Sequence, residues 1–361
     1  MAQAVVLCSM DGSAGMETKL RIVSLLPSIT EILASLDLAE NIVGITHECD
    51  HPAEALKDAQ VVTTSEISPY TMSQAEIHER VIGSLRKGHS LYGLKGDVLK
   101  DVAPDIIFTQ SLCDICAVSY PVVLAQCARL VAGPSLPAGG DADTRVGGEP
   151  RVISLEPETL EDVLKTFVVA GEAVSVQTKL LAEGVVADLR AGFAKIRKAV
   201  DGRRRPRTAF LEWHEPLFTG GHWVPDLMEI AGADYKMCKA GERSRQIEPS
   251  ELAALDAEYI IIGPCGFDLQ RSVTDTLKLQ HAWWHSLPAV RAGNVFAVDG
   301  NSYFSRPGPR LLQGCGIIAA CLHGEEVASI LGTDLAPSCA WSRVATADNG
   351  SSAQCSSALR D

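Results

Sequence analysis

Short apolar runs alternate with longer mixed stretches along nearly the whole chain. Runs of strand character fall at 21–26, 41–46, 61–64, 105–109, 151–155, 207–211, 259–262 and 294–298, each four to six residues long and closed by polar or Gly/Pro positions. Helical patterning fills the intervals at 74–86, 97–102, 120–127, 226–231, 250–255 and 310–322. A first helix runs to residue 36, with Ser28 or Thr30 as its cap and Glu31 in the first turn, where a carboxylate suits the dipole. Alternation of strand and helix predicts parallel α/β units.

One stretch, 159–200, has no strand-like alternation. Leu181, Val185, Leu189, Phe193, Ile196 and Val200 recur at helical spacing, and Gly171 marks the expected break. From 174 to 200 such a helix spans roughly 40 Å, more than a crossover inside one βα unit needs. The expected fold class is therefore α/β: two Rossmann-like α/β lobes joined by a long connecting helix, with a ligand cleft between the lobes. The divisions are a loose leader at 1–19, a first lobe at 20–157, the spine at 158–202, a second lobe at 203–325 and a disordered tail at 326–361. The halves echo each other. Residues 99–113 and 252–265 both read helix, apolar strand and cysteine-bearing loop, and 151–164 and 294–312 both read strand, loop and helix.

Composition narrows the function. Hydrophobic residues make up 46% and charged residues 21%, globular values. A formal net charge of −13 disfavours nucleic acid and anionic membrane surfaces as partners. The basic run Arg203-Arg204-Arg205 with Arg207 reads as a solvated helix end. No run reaches the ~18 apolar residues of a membrane span. Residues 1–19 lack the charged n-region of a signal peptide, and eleven cysteines do not suggest a secreted disulfide framework. These features lead to an expected cytoplasmic, reducing setting.

Ligands of open parallel sheets bind beyond the carboxyl ends of the strands. The unusual loops here, at 47–52, 111–116, 213–223, 264–267 and 301–309, all follow strands directly. Aromatic residues are only 5% of the chain, yet these loops hold Trp213, Trp223, Phe267, Tyr303 and Phe304, with His214, His222 and Arg306 beside them. Flat apolar faces with a few fixed polar groups suit a large planar ligand. His47 and Cys49 with Cys113 and Cys116 offer an imidazole and three thiolates to a zinc or iron ion, although cysteines are commonly just buried. A catalytic thiol, Cys113 or Cys265 with His214 or His222, lacks a nucleophile signature, and no Gly-rich phosphate loop occurs.

Together, Arg21-Ile-Val-Ser-Leu-Leu-Pro-Ser-Ile-Thr-Glu31, Thr46-His-Glu-Cys-Asp50, Leu112-Cys-Asp-Ile-Cys-Ala-Val118, Phe210-Leu-Glu-Trp-His-Glu-Pro216, Gly221-His-Trp-Val-Pro225, Pro264-Cys-Gly-Phe267 and Asp299-Gly-Asn-Ser-Tyr-Phe-Ser-Arg-Pro-Gly-Pro309 resemble one known family. It is the cobalamin-binding branch of the helical-backbone periplasmic substrate-binding proteins, which feed ABC importers with corrinoids, haem and iron chelates. The resemblance covers 20–324. It implies two lobes on a rigid connecting helix, no catalytic residues, cobalamin or a related corrinoid, tetrapyrrole or metal chelate as ligand, and an importer permease as partner to a monomeric captor. It places Pro27, Ser28, Thr46, His47, Glu48, Leu112, Trp213, His222, Trp223, Cys265, Gly266, Phe267, Tyr303, Phe304 and Arg306 around the ligand. The chain departs from the family in an acidic, Gly-rich stretch at 139–149, a long tail and no evident signal peptide. The alternative these departures leave is a cytosolic zinc- or iron-dependent enzyme using the Cys/His-lined cleft.

Overall fold

The computed structural model of the chain describes residues 19–87, 91–110 and 150–344. Its first lobe carries β1 (Ile22–Ser24), β2 (Ile42–Ile45), β3 (Gln60–Val61), β4 (Thr63–Ser65), β5 (Tyr92–Leu94), β6 (Ile106–Thr109) and β7 (Arg151–Ser154). A parallel sheet runs β3-β2-β1-β6-β7, while β4 and β5 form a separate antiparallel pair. Every residue of β1 and β6 is buried, as the unbroken apolar runs of a sheet covered on both faces require. The expected strand at 61–64 is thus two strands in two sheets, split at Val62.

The second lobe carries β8 (Thr208–His214), β9 (Leu217–Thr219), β10 (Tyr259–Ile262), β11 (Val295–Val298) and β12 (Trp341–Arg343), in the order β12-β11-β10-β8-β9. The trio β8-β10-β11 is parallel and reproduces the order and direction of β1-β6-β7, so the echo in the sequence has a structural counterpart. The lobes differ at their edges. β9 and β12 add antiparallel to β8 and β11, where the first lobe adds parallel β2 and β3. β12 lies in the stretch expected to be disordered. It pairs Phe296 with Arg343 and sets the Trp341 ring 5.8 Å from that of Phe296, covering an otherwise open sheet edge.

The spine is a hairpin of two helices, Leu160–Val174 and Val176–Ala199. The break falls at Ser175, whose backbone is extended and whose hydroxyl accepts the Thr178 amide at 3.0 Å. Gly171 instead lets the helices touch, since a Cβ there would stand 2.7 Å from the Thr178 carbonyl oxygen. Ion pairs Glu172–Lys179 and Glu161–Arg190 tie the two helices together in antiparallel fashion. So close an approach admits Ala182 rather than leucine. The buried stripe runs through Thr178, Ala182, Val186, Phe193 and Ile196, and Leu181 is left 39% exposed.

The caps also differ from expectation. Pro27 occupies the first turn of the helix Pro27–Ser35, and neither Ser28 nor Thr30 caps it. The Thr30 hydroxyl bonds the Ser24 hydroxyl at 2.9 Å. Glu31 is buried and committed elsewhere.

Candidate functional site between the lobes

The loops after β2, β8, β10 and β11 converge. Phe267 and Trp213 meet with ring centres 5.2 Å apart, Asn301 donates its amide to the Phe267 carbonyl, and Asn301 Nδ2 donates to Asp50 Oδ2 at 3.2 Å. The lobes are held at two places around this convergence.

The first is a charged clasp. Arg310 donates to both Glu31 oxygens, at 2.6 and 2.9 Å, and Arg306 approaches Glu31 Oε1 at 3.3 Å. Arg306 also bonds both Asp50 oxygens, the Glu48 carbonyl at 3.1 Å and Asn301 Oδ1 at 3.1 Å. Burial works against the Asp50 carboxylate, but the Arg306 guanidinium holds its pKa below the ordinary value. Arg306 is 5% exposed. It serves the seam between the lobes, not an open cleft face.

The second is neutral at its centre. Gln74, on the helix Gln74–Lys87, donates Nε2–H to His214 Nε2 at 2.7 Å and accepts the His214 backbone N–H on Oε1 at 3.1 Å. Burial pushes the His214 pKa down to about 4, so the ring is neutral. Beside it, Arg271 donates to the carbonyls of Pro69 and Met72 and lies 4.4 Å above the Phe267 ring. Phe267 is 1% exposed, packed with Ile77, Val81 and Leu91.

The expected walls therefore divide. Trp223 and Phe304 are core residues: the indole N–H donates to the Phe304 carbonyl at 2.8 Å, and Phe304 packs on Phe210. Phe267 lies beneath the first-lobe helix. Partly open are Pro27, His47, Glu48, Trp213, His222, Gly266 and Tyr303, with Cys265 exposed; Ser28 and Thr46 are buried. His47 stacks on Tyr92 at 5.6 Å, its Nδ1 meets the Thr63 hydroxyl at 2.8 Å, and its Nε2 lies 3.2 Å from Glu48. His222 adopts φ +51°, pinned through its amide to the Glu242 carbonyl and through its carbonyl to the Gly241 amide.

The thiol of Cys49 turns to the hydroxyls of Thr30 and Thr46, at 3.1 and 3.5 Å, and burial pushes its pKa up. A neutral thiol so engaged does not fit a metal ligand. Leu112, Cys113 and Cys116 lie outside the described residues. Among the described residues no group of three His, Cys, Asp or Glu side chains is placed to hold a metal. A groove of about 420 Å³ lies on the spine, lined by Leu164, Phe193, Arg197 and Asp226 among others, none of them an expected site residue.

Sequence reasoning missed Glu31, Asp50, Arg310, Gln74 and Arg271 as seam residues. Glu31 and Asp50 stand in the motifs quoted above, but no local signal pairs residues 275 positions apart.

Two α/β lobes on a helical spine, with strand-end loops facing across a seam, define a two-lobe α/β fold. The family model for periplasmic binding proteins matches residues 130–301. Solved structures share the fold. A possible iron-binding, periplasmic solute-binding protein from Staphylococcus epidermidis is 17% identical with TM-score 0.60, over 84% of this chain and 98% of that one. The periplasmic vitamin B12 binding protein of Vibrio cholerae is 17% identical with TM-score 0.55, over 84% and 96%. The periplasmic heme-binding protein of Roseiflexus sp. RS-1 is 16% identical with TM-score 0.58, over 87% and 100%. No curated protein matches in sequence.

The chain thus shares the fold of solved periplasmic binding proteins, and its residues 130–301 match their family model. The metal-dependent enzyme reading finds no support among these matches. The expected cytoplasmic setting is contradicted, because the matching family model and the similar structures are of periplasmic binding proteins.

Proposed function

We propose that the chain is the captor of an importer system and holds cobalamin, or a related corrinoid, between its lobes. The observation that carries this reading is the convergence of the β2, β8, β10 and β11 loops on one inter-lobe site with Trp213, Tyr303 and His47 partly open. Flat aromatic faces beside a few polar groups suit a corrin ring. The subfamily motifs and the B12-, heme- and iron-binding relatives support the same ligand class. An ABC importer permease is the matching partner. The test is calorimetric and spectroscopic titration of the protein with cyanocobalamin, aquocobalamin and hemin. Micromolar or tighter binding of either cobalamin is expected; binding of hemin alone would replace the corrinoid reading, and binding of none would end it.

A further inference from the structure

Gln74 and His214 meet across the seam from opposite lobes, and the pair has one arrangement only. The His214 backbone N–H occupies Gln74 Oε1, so the amide cannot turn over, and its Nε2–H must face the ring. His214 Nε2 is therefore an acceptor and the proton rests on Nδ1, which is buried without a partner. Protonation of Nε2 would set two donors 2.7 Å apart in a closed space, with no rotation to relieve them.

The neighbouring charges do not rescue the imidazolium. Asp275 favours it, but its two oxygens are bound by Arg271 at 2.9 Å and Lys278 at 2.7 Å, and both cations oppose it. From the first lobe, the helix Gln74–Lys87 presents the neutral Gln74 amide, and its His78 stands over Phe218 of β9, the strand beside β8. The charged clasp responds differently, since Arg306 keeps the Asp50 carboxyl below its ordinary range and so ionised where His214 begins to titrate.

We propose that Gln74–His214 is a proton-sensitive latch: acid opens the seam beneath the helix Gln74–Lys87 while the Glu31–Arg306–Asp50 clasp stays shut. The lobes then part on one side, about the clasp as a hinge. Opening frees Phe267 and Trp213 from their first-lobe cover. If the ligand reading above holds, the latch is also a route to release in acid.

Hydrogen exchange of the ligand-free full chain tests the latch without assuming any ligand. With the ring at about 4 when closed and near 6.5 when open, the opening equilibrium should rise about 20-fold between pH 7 and pH 5. After correction for intrinsic rates, exchange in 66–87 should rise by that factor, while exchange in 311–322 of the closing helix should not. His214→Gln keeps an acceptor for Gln74 and cannot titrate in this range, so its seam should stay protected. No rise in the parent protein, or an equal rise in His214→Gln, overturns the proposal. If that variant does not fold, the His214 ring resonance in the parent decides: a midpoint shared with seam opening supports the latch, and separate midpoints overturn it.

Discussion

The two places where the lobes meet solve one problem in opposite ways. The clasp removes charges from water and compensates them with other charges, so its strength depends on the buried Glu31 carboxylate keeping both arginines. The latch removes a titratable ring from water by keeping it neutral, so its strength depends on pH. In the clasp Arg306 holds the Asp50 carboxyl ionised into mild acid, whereas the buried neutral imidazole of the latch is opposed by acid.

The hardest blow to the comparison is Glu31→Ala. It leaves Arg306 and Arg310 without their shared buried carboxylate and should cost about 3–5 kcal/mol, read as a fall in the urea midpoint at pH 7. A loss below about 1 kcal/mol would mean the clasp is ornamental. Acid should act next, and on the latch. A depressed imidazole contributes stability that is whole above pH 6.5 and lost as pH falls towards 4, so global stability should drop by about 2 kcal/mol from pH 7 to pH 5 through His214. His214→Gln should remove that slope and leave the other titrations in place. The smallest effect is expected at the open end of the clasp. Asp50 is half exposed, so Asp50→Asn should cost no more than about 1 kcal/mol, shrinking further in high salt.

The fold was legible where physics is local. Runs such as Tyr259-Ile-Ile-Ile262 announce covered parallel strands, and the repeated helix–strand–loop order announced the doubled trio before any sheet was seen. The hairpin at Ser175 was not legible, because Val174-Ser-Val176 contains no residue that forbids a helix. Gly171 looked like a weak point and is a contact point. The site was legible as a set of loops but not as a set of walls. Tryptophan near a strand end satisfies the same pattern whether it stays partly open, as Trp213 does, or stacks into the core, as Trp223 does. Glu31 is the clearest failure. Its position suggested a helix dipole, while its partners lie on the other lobe.

The indole of Trp223 reaches from the start of the helix Val224–Ile230 to the Phe304 carbonyl, next to Tyr303. Position 223 therefore acts as a remote adjuster of the seam. Shortening that side chain should shift the loop that carries Tyr303 and Arg306, and so disturb the seam from inside the core. A change at position 223 would therefore report on a support inside the core rather than on an open face of the seam.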